Sequence, residues 1–461
     1  MFDIVPKLNI VILAAGGGKR MQSSLPKVLH HLAGKPLLAH VLDAAHALSP
    51  SQICIVYGHG GEAVPLAIAD EKLLWVKQES QLGTGHALLQ ALPYLDEEGS
   101  TLVLFGDVPL VSVDTLNKLV RVSEERYCAL LTAELETPTG YGRIVRVHET
   151  NEISAIVEEK DASEAQREIC EINTGVMVVP NRFLREWLPK LENNNVQREF
   201  YLTDIVAMAV KKNIRVAASR STHLWEVMGV NNQQQLAALE RIYQNEYANK
   251  LLADGVTLAD PSRIDVRGLL TCGRGVEIDI NCIFEGHVQL GDYVKIKAHS
   301  ILKNVTIETG TIIYPFSLLE ETEIGENCRV GPYARIRPGT RLSSQVHIGN
   351  FVEIKNSRIA DGSKANHLSY IGDAVIGEKV NIGAGTITCN YDGAYKHQTI
   401  IEDDVFIGSD TQLIAPVRIT KGSTVGAGST ITRDTPQNKL SLSRTKQISI
   451  PGWKRPIKTQ T

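Results

Sequence analysis

The stretch NIVILAAGGGKRMQSSLPKVLH, residues 9–30, places three glycines and three cations directly after an apolar run. The cations are Lys19, Arg20 and Lys27. Glycine lets backbone N–H groups approach an anion without a Cβ in the way, and Arg and Lys neutralise its charge. The pattern indicates a loop that binds a phosphate-bearing ligand. The glycines alone are equally typical of an ordinary turn, so the prediction depends on their surroundings.

Two well-known phosphate loops do not fit this stretch. GGGKRM lacks the second spaced glycine and the Ser or Thr of a Walker A loop. Met21 stands where a dinucleotide-binding fingerprint has its third glycine. The loop therefore belongs to neither class.

Asp107 is a further candidate, because it follows the apolar run TLVLFG. A carboxylate at the carboxyl edge of a parallel sheet is a natural Mg²⁺ ligand. A single Asp after a strand is more often a turn residue. The phosphate loop beside it favours the metal.

A second group of polar side chains lies between residues 337 and 391, within RIRPGT, VEIKNS, KANHLSYIGD and EKVNIGAGTITCNYDG. Taken singly, these residues are typical of solvated charges, coil corners and a structural histidine. Together they are unusual on an otherwise aliphatic wall. They therefore indicate a second site of chemistry.

The elements that position these residues differ between the two halves of the chain. Up to about residue 230, the apolar runs NIVILAA, QICIVYG, TLVLFGD and NTGVMVVP alternate with helical patterns such as KPLLAHVLDAAHAL. This alternation predicts an α/β fold, a mostly parallel sheet with helices on both faces and ligands at its carboxyl edge. A helix following the glycine loop is expected to add its positive end. Residues 231–253 then read as a linker helix, closed by Gly255.

From there the period of the aliphatic residues is six, which is the signature of a parallel β-helix whose aliphatic side chains stack inward. The small residue after each one is expected to allow a tight corner. Two stretches, around 360–370 and at TCNYDGAYKHQT, break the repeat and are predicted to project as loops. The repeat positions are Ile324, Val330, Ile336, Leu342, Ile348, Ile354, Ile376, Ile382, Ile407, Leu413, Ile419, Val425 and Ile431.

Composition limits the class of protein. The 461 residues are 43% hydrophobic and 22% charged, enough for two or three domains with cores. A net charge of -4 argues against bulk nucleic-acid binding. No run is long enough to span a membrane, and the N-terminus does not resemble a signal peptide. Seven scattered cysteines suit reduced thiols, so we expect a cytoplasmic protein.

The first half resembles the sugar-1-phosphate nucleotidylyltransferases, whose first motif L-A-A-G-x-G-T-R-M and following P-K appear here as LAAGGGKRM and LPKVLH. The resemblance implies that Arg20 and Lys27 hold the triphosphate and that Asp107 and Asn231 bind Mg²⁺. Lys19 replaces the usual threonine, and Phe105 a frequent tyrosine. QESQLGTGHA, TGYGRI, IVEEKDA, EINTGV and EVMGVNN resemble the uracil and sugar segments. The implied nucleotide and UDP-sugar contacts are Leu13, Ala14, Ala15, Gly16, Lys27, Gln78, Gly83, Thr84, Phe105, Gly106, Asp107, Gly142, Glu158, Asn173 and Asn231.

Nearly the whole chain, from LAAG to GWKRP, resembles bifunctional enzymes that join an N-acetylglucosamine-1-phosphate uridyltransferase to a glucosamine-1-phosphate acetyltransferase. By this resemblance His367 is the general base and Glu353 orients it. Asn366 replaces the usual glycine before that histidine. Arg337, Lys355, Tyr370 and Asn381 are the implied acetyl-acceptor contacts. The implied acetyl-CoA contacts are Ala384, Asn390, Tyr391, Ser409, Ala427 and Arg444.

The resemblance implies a Rossmann-like nucleotidyltransferase domain over 1–230, a linker helix over 231–253, and a left-handed β-helix acetyltransferase domain with a C-terminal tail over 254–461. Its substrates would be UTP, acetyl-CoA, glucosamine 1-phosphate and N-acetylglucosamine 1-phosphate, and its product a bacterial envelope precursor. It also implies a homotrimer. Two alternatives stay open at this point: a single-activity nucleotidylyltransferase with a scaffold β-helix, and a non-enzymatic assembly protein that resembles translation exchange-factor subunits.

Overall fold

The structure is a computed structural model that describes residues 7–123, 127–147, 150 and 152–456. The chain forms two compact units that divide between Tyr243 and Gln244. This division falls within a helix that covers Gln233–Ala253.

The first unit is an α/β unit. Its strands are β1 (Leu8–Leu13), β2 (His31–Leu32), β3 (Lys35–Pro36), β4 (Gln52–Tyr57), β5 (Leu74–Lys77), β6 (Ser100–Phe105), β7 (Cys128–Glu134), β8 (Gly142–Arg146), β9 (Ile153–Val157), β10 (Glu171–Pro180) and β11 (Val216–Arg220). Its helices are α1 (Leu37–Ala47), α2 (Ala63–Ile68), α3 (Thr84–Ala91), α4 (Val113–Ser123), α5 (Glu164–Arg167), α6 (Asn181–Trp187) and α7 (Asp204–Lys211), followed by α8 (Gln233–Ala253).

The main sheet has the order β11-β7-β10-β6-β1-β4-β5, with β8 and β9 attached beside β10. β1 pairs in parallel with β4 and β6, whereas β10 runs antiparallel to β6 and β7. Buried aliphatic side chains cover both faces, since successive residues of a strand point to opposite sides. The predicted mostly parallel α/β sheet is confirmed, and the ends of β1, β4, β5 and β6 share one edge.

The second unit consists of short strands. They are β12 (Thr257–Leu258), β13 (Ile264–Cys272), β14 (Glu277–Ile278), β15 (Cys282–Leu290), β16 (Lys295–Ile296), β17 (Ile301–Ile307), β18 (Ile312–Ile313), β19 (Leu318–Ile324), β20 (Arg329–Val330), β21 (Arg335–Ile336), β22 (Arg341–Leu342), β23 (His347–Asn350), β24 (Glu353–Lys355), β25 (Arg358–Ile359), β26 (Lys364–His367), β27 (Tyr370–Gly372), β28 (Ala374–Ile376), β29 (Asn381–Ile382), β30 (Ile387–Cys389), β31 (Thr399–Ile401), β32 (Phe406–Ile407), β33 (Gln412–Ile414), β34 (Val417–Ile419), β35 (Thr424–Val425), β36 (Thr430–Ile431) and β37 (Leu440–Ser441).

These strands stack in parallel columns, one coil above the next. One column runs from β12 to β37, and further columns pair β21 with β24 and β22 with β25. All of the aliphatic residues predicted to point inward are buried, and they belong to one continuous core. The parallel β-helix predicted from the six-residue period is confirmed, and so is the left-handed form that the resemblance implies. The end of α8 joins this core, where the Gln244 side chain bonds to the backbone of Val266.

One of the two predicted interruptions is wrong. Residues 360–370 form a coil that includes β26, and Ala365 fills the inward position between Ile359 and Ile371. The repeat is hidden there because alanine is a weak aliphatic signal and some steps are five residues long. The second interruption does leave the stack, as a segment between β30 and β31 that is closed by a bridge between Tyr391 and Lys396.

The glycines that follow the aliphatic positions are required for a reason other than the predicted tight corner. A Cβ on Gly349 would lie 2.1 Å from the Asn366 carbonyl oxygen, and one on Gly383 would lie 2.6 Å from the Gly408 carbonyl carbon. Real Cβ atoms do not approach backbone so closely. Glycine is therefore required because the next coil's backbone lies directly against it.

Because Ile354 is completely buried in this core, we expect Ile354→Ala to lower the free energy of unfolding of the second unit by about 2–5 kcal/mol. Val375→Ala is the matched control, since that side chain is 37% exposed and should lose less. Urea unfolding followed by circular dichroism measures both. Equal losses in the two variants would contradict the inward stacking.

Candidate active sites

The glycine loop follows β1 at the shared sheet edge. The backbone N–H of Gly106 donates to Leu13, and that of Ala14 donates to Val56, which ties the ends of three strands together. Gly18 has a positive φ of 55°, and a Cβ there would lie 2.9 Å from Lys27 Cβ. The loop therefore packs against Lys27, and this contact requires a glycine.

The predicted helix directly after the glycines is absent. Lys19–Met21 and Lys27–Leu29 are single 3-10 turns, and the first α-helix begins only at Leu37. The first turn ends at Gln22, whose backbone is left-handed with a φ of 50°, and Pro26 directly precedes the second turn. The positive charge of the loop therefore comes from side chains rather than from a helix end.

Four of the predicted residues converge into a charge cluster. The Lys27 ammonium donates hydrogen bonds to the Asp107 carboxylate and, over 3.3 Å, to Asn231 Oδ1. Arg20 Nη2 donates to the same Asn231 oxygen over 3.0 Å. The Lys27 and Asp107 side chains are only 13% and 18% exposed. Two oxygen ligands from distant parts of the chain thus surround one cationic position.

A cavity of about 320 Å³ opens beside this cluster. It brings together the ends of β1 and β6, the glycine loop and the start of α3. Of the predicted nucleotide contacts, Leu13, Ala14, Ala15, Gly16, Lys27, Gly83, Thr84, Phe105 and Asp107 line it. Gln81 and Glu199 also line it. Sequence reasoning missed both, although Gln81 lies within the quoted QESQLGTGHA segment.

The predicted sugar residues lie around β8 and β10. Asn173 and Gly142 are opposite each other in these paired strands, and a Cβ on Gly142 would lie 3.4 Å from the Glu158 carboxylate oxygens. A Cβ on Gly175 would lie 2.5 Å from the Phe105 ring, so this group adjoins the residue that lines the nucleotide cavity. The three predicted sugar contacts are therefore neighbours. At Gly142 and Gly175 the backbone lies close to Glu158 and Phe105, because neither glycine has a side chain.

Glu158 also lines a separate cavity of about 350 Å³, together with Asp161, Glu192, Tyr201 and Asp204. Burial raises the pKa of the Glu158 carboxyl, and the hydrogen bond from Thr203 Oγ1, 3.2 Å away, opposes that shift. Burial also raises the pKa of Asp204. Thr203 was not predicted, because no motif connects residue 203 with residue 158.

In the second unit, the predicted acetyl-acceptor residues lie on adjacent coils. Glu353 is opposite Tyr370 in the β24–β27 pair, and Lys355 is opposite Gly372. Arg337 Nη1 donates to Glu353 Oε1 over 2.7 Å. The described residues include no hydrogen bond between Glu353 and His367; Glu353 is paired with Arg337, and its orienting role stays a prediction.

The cations of this group lie close to each other. The pKa of Lys355 is lowered because Lys396 lies within hydrogen-bonding distance and Arg337 adds further positive charge. Lys396 belongs to the segment that leaves the coil, and sequence reasoning missed it. Cations that repel one another on a surface favour the binding of an anion, because its charge relieves that repulsion. His367 ends β26 and is exposed, opposite Asn350 in the neighbouring coil.

Four of the predicted acetyl-CoA residues form a column over successive coils. The Ala384 carbonyl accepts from Asp410, the Ser409 carbonyl from Gly428 and the Ala427 carbonyl from Arg444 Nη1, over 2.7–2.9 Å. Asn390 Nδ2 donates to Asp373 Oδ2 over 2.5 Å, whereas Tyr391 is 61% exposed. Asn381 lies in β29, opposite Lys364. These residues form a straight row along the coils, a surface whose shape suits an extended ligand.

Two features are absent from the described residues. Among them no group of three or more His, Cys, Asp and Glu side chains converges to hold a metal ion. Within the same ranges no helix is long and apolar enough to cross a membrane.

Family models match parts of both units. The family model for a MobA-like NTP transferase domain matches residues 10–199, and that for the bacterial transferase hexapeptide (six repeats) matches residues 398–433. The fold and the sites thus define a transferase with a nucleotidyltransferase unit and a hexapeptide-repeat unit.

The chain is 69% identical to the bifunctional protein GlmU of Nitrosospira multiformis, over 98% of each chain. It is 63% identical to that of Nitrosomonas eutropha, over 98% of this chain and 99% of the relative. The chain therefore belongs to the family of bifunctional GlmU proteins, and the predicted resemblance is confirmed. A solved UDP-glucose pyrophosphorylase complexed with UDP-glucose covers 52% of this chain at 18% identity and a TM-score of 0.43, too weak a likeness to bear on function.

The raised pKa of Glu158 makes a prediction about stability. The folded chain binds this proton more tightly than the unfolded chain, so the associated stability is present at acidic pH and lost as pH rises through the raised pKa. Glu158→Gln removes the titration, so its stability relative to the unmodified protein should increase as pH rises from about 4, near the ordinary carboxyl pKa, through the raised pKa. Urea unfolding at each pH measures this difference.

The exposed Glu164→Gln is the control, for which we expect a difference that stays flat with pH. A pH-independent difference for Glu158→Gln as well would show that burial does not disfavour the charged carboxylate.

Proposed function

We propose that this chain makes UDP-N-acetylglucosamine in two steps, one on each unit. The second unit transfers an acetyl group from acetyl-CoA to glucosamine 1-phosphate, and the first transfers a uridylyl group from UTP to the resulting N-acetylglucosamine 1-phosphate. One observation carries this proposal: the Lys27–Asp107–Asn231 cluster and the Arg337–Lys355 cluster occur on the same chain, each at a site for an anionic ligand.

Uridylyl transfer requires positioning and charge neutralisation rather than a protein nucleophile. A phosphate oxygen of the sugar phosphate attacks the α-phosphorus of UTP, and the bond from that phosphorus to the bridging oxygen of pyrophosphate breaks. Arg20 and Lys27 neutralise the charge that develops at the α-phosphorus. The nucleotide lies in the cavity at the sheet edge, and Gly142, Glu158 and Asn173 contact the sugar.

The residues present fit Mg²⁺. Asp107 and Asn231 supply a carboxylate and an amide oxygen, which are the hard ligands this ion prefers, and they already surround one cationic position. Mg²⁺ commonly binds through one or two protein groups together with substrate phosphates and water. When bound, it supplies charge neutralisation to the phosphates. Lys27 then has to leave the two oxygens, which frees its ammonium for the triphosphate.

Acetyl transfer requires a free amine and a base. The amine of glucosamine 1-phosphate attacks the thioester carbonyl carbon, the carbon–sulfur bond breaks, and coenzyme A leaves as a thiol. His367 takes the proton that the amine loses. Arg337 and Lys355 bind the sugar phosphate, with Tyr370 and Asn381 on the same substrate, and Glu353 holds the Arg337 guanidinium. Acetyl-CoA lies along the column of Ala384, Ser409, Ala427 and Arg444, beside Asn390 and Tyr391.

The active assembly is a homotrimer in this proposal. One corner of the β-helix carries a ladder of stacked rings, His299, Phe316, Tyr333 and Phe351, with centroids 4.7–5.3 Å apart. Phe316, Tyr333 and Phe351 are each 45–57% exposed. Exposed aromatic rows of this kind are typical of protein interfaces. The ladder ends at Phe351, next to Asn350, which pairs with His367. A subunit on this ladder would therefore lie beside the acetyl-transfer base.

The cytoplasm is the proposed location. All seven cysteines are free thiols. Burial raises the pKa of Cys54 and of Cys128 to about 12, which keeps those thiols protonated and unreactive. Reduced, buried cysteines are typical of proteins that work in a reducing compartment.

Thiol release from acetyl-CoA, with glucosamine 1-phosphate and no nucleotide, tests the acetyl-transfer half. We expect His367→Ala to lower this rate by about 10²–10⁴-fold, because a positioned base contributes that much. His287→Ala, which changes an exposed histidine elsewhere on the β-helix, should leave the rate unchanged. Undiminished release in His367→Ala would remove that residue from the role of base. No release from the folded, unmodified protein would favour the single-activity alternative.

Metal binding without nucleotide tests the cluster in the first unit. Because Lys27 occupies both oxygen ligands, we expect Lys27→Met to bind Mn²⁺ several-fold more tightly than the unmodified protein, measured by electron paramagnetic resonance. Uridylyl transfer should fall at the same time, because the variant lacks the triphosphate cation.

Lys19→Met is the matched control, because that exposed lysine lies in the same loop but has no contact with Asp107 among the described residues. Equal Mn²⁺ affinities in all three proteins would show that Asp107 and Asn231 are not the metal ligands.

A further inference from the structure

His86 lies on the first turn of α3, between Thr84 and Ala87, which line the nucleotide cavity. Its Nδ1 is 2.9 Å from the side-chain amide nitrogen of Gln78, a residue that follows β5 and is only 3% exposed. The ring also lies beside Phe200, with centroids 6.3 Å apart. The contact therefore joins two residues that are fixed on neighbouring elements of the sheet edge.

The hydrogen bonds determine which way the Gln78 amide faces. Its Nε2 also lies 3.3 Å from the Gly83 carbonyl oxygen, which can only accept. The amide nitrogen must therefore stand on this side, with one hydrogen toward Gly83 and the other toward His86. Gly83 itself lines the nucleotide cavity. The side-chain oxygen of Gln78 takes no part in these contacts, and it accepts no hydrogen bond from any residue that the structure describes.

This arrangement fixes the tautomer of His86. Nδ1 has to accept the Gln78 hydrogen, so a neutral ring carries its proton on Nε2. The Gln90 Nε2 atom lies 3.2 Å from His86 Nε2 and 3.3 Å from the His86 carbonyl oxygen, so this amide gives up its bond to the carbonyl when it turns its oxygen toward the Nε2 proton. Gln90, His86 and Gln78 then form one chain of hydrogen bonds with a single consistent direction.

We propose that His86 is a positioning residue that locks the Gln78 amide with its oxygen toward the base, and thereby makes the first site selective for uracil over cytosine. This inference rests on the proposed function and on the resemblance, which implies that Gln78 contacts the nucleotide. Uracil presents an N–H donor at position 3, which the Gln78 oxygen can accept. Cytosine presents an acceptor at the same position, so a locked amide leaves two acceptors facing each other. An amide free to turn would serve both bases.

The test compares two amide substitutions of similar size. In His86→Asn the side-chain oxygen reaches the position of Nδ1, so the acceptor for Gln78 is kept; in His86→Gln the amide extends past that position toward Nε2. Initial rates of pyrophosphate release with N-acetylglucosamine 1-phosphate are measured with UTP and with CTP. We expect His86→Gln to lower the UTP/CTP ratio of kcat/KM by about tenfold, the effect of one hydrogen bond, mainly through the KM for UTP. His86→Asn should keep the ratio within about threefold.

The outcomes distinguish a failure of the proposed role of His86 from a failure of the proposed function. An unchanged ratio in His86→Gln, or an equal loss in both variants, overturns the role of His86 while leaving the proposed function intact. An unmodified protein that releases no pyrophosphate from either nucleotide overturns the proposed function itself. Acetyl transfer by the second unit is measured in parallel and should be unchanged in each variant.

Discussion

Parallel strand pairing is the constraint on which both halves of this chain depend. Parallel strands cannot be joined by a hairpin, so every connection crosses over and all strand ends of one kind meet on one side. In the first unit this places the ends of β1, β4, β5 and β6 at one edge. In the second unit the crossover is itself a coil, which puts residues 17 or 18 apart in the chain directly above one another.

Each form of parallel pairing gathers cations from distant positions. At the sheet edge Lys27 and Arg20 meet Asn231, more than 200 residues away, around an oxygen-lined position that suits a metal and a triphosphate. On the β-helix Arg337, Lys355 and Lys396 meet on one face. Both groups are partly screened by carboxylates, Asp107 in one and Glu353 in the other. We propose that a substrate phosphate binds each group of cations, which gives the two reactions a common physical basis.

The sequence predicts the elements of this structure better than it predicts their side-chain partners. Long Val and Ile runs mark β1, β4 and β6, and a six-residue period marks the inward positions of the coils, because burial leaves a strong local pattern. Where the pattern weakens, as at Ala365, the prediction fails. The expected helix after the glycines is replaced by a single turn that ends at Gln22 in the left-handed conformation. Thr203, Lys396 and His86 were missed because their partners are fixed only by the fold, and no local spacing marks them.

The central claim is that two independent sites on one chain carry out consecutive steps. An equimolar mixture of purified Lys27→Ala and His367→Ala proteins tests this, with glucosamine 1-phosphate, acetyl-CoA and UTP as substrates and phosphorus NMR as the readout. We expect the mixture to form UDP-N-acetylglucosamine while neither variant does so alone, since the acetylated sugar phosphate made by one passes through solution to the other. A mixture that makes no product, although both proteins are folded, would contradict the account.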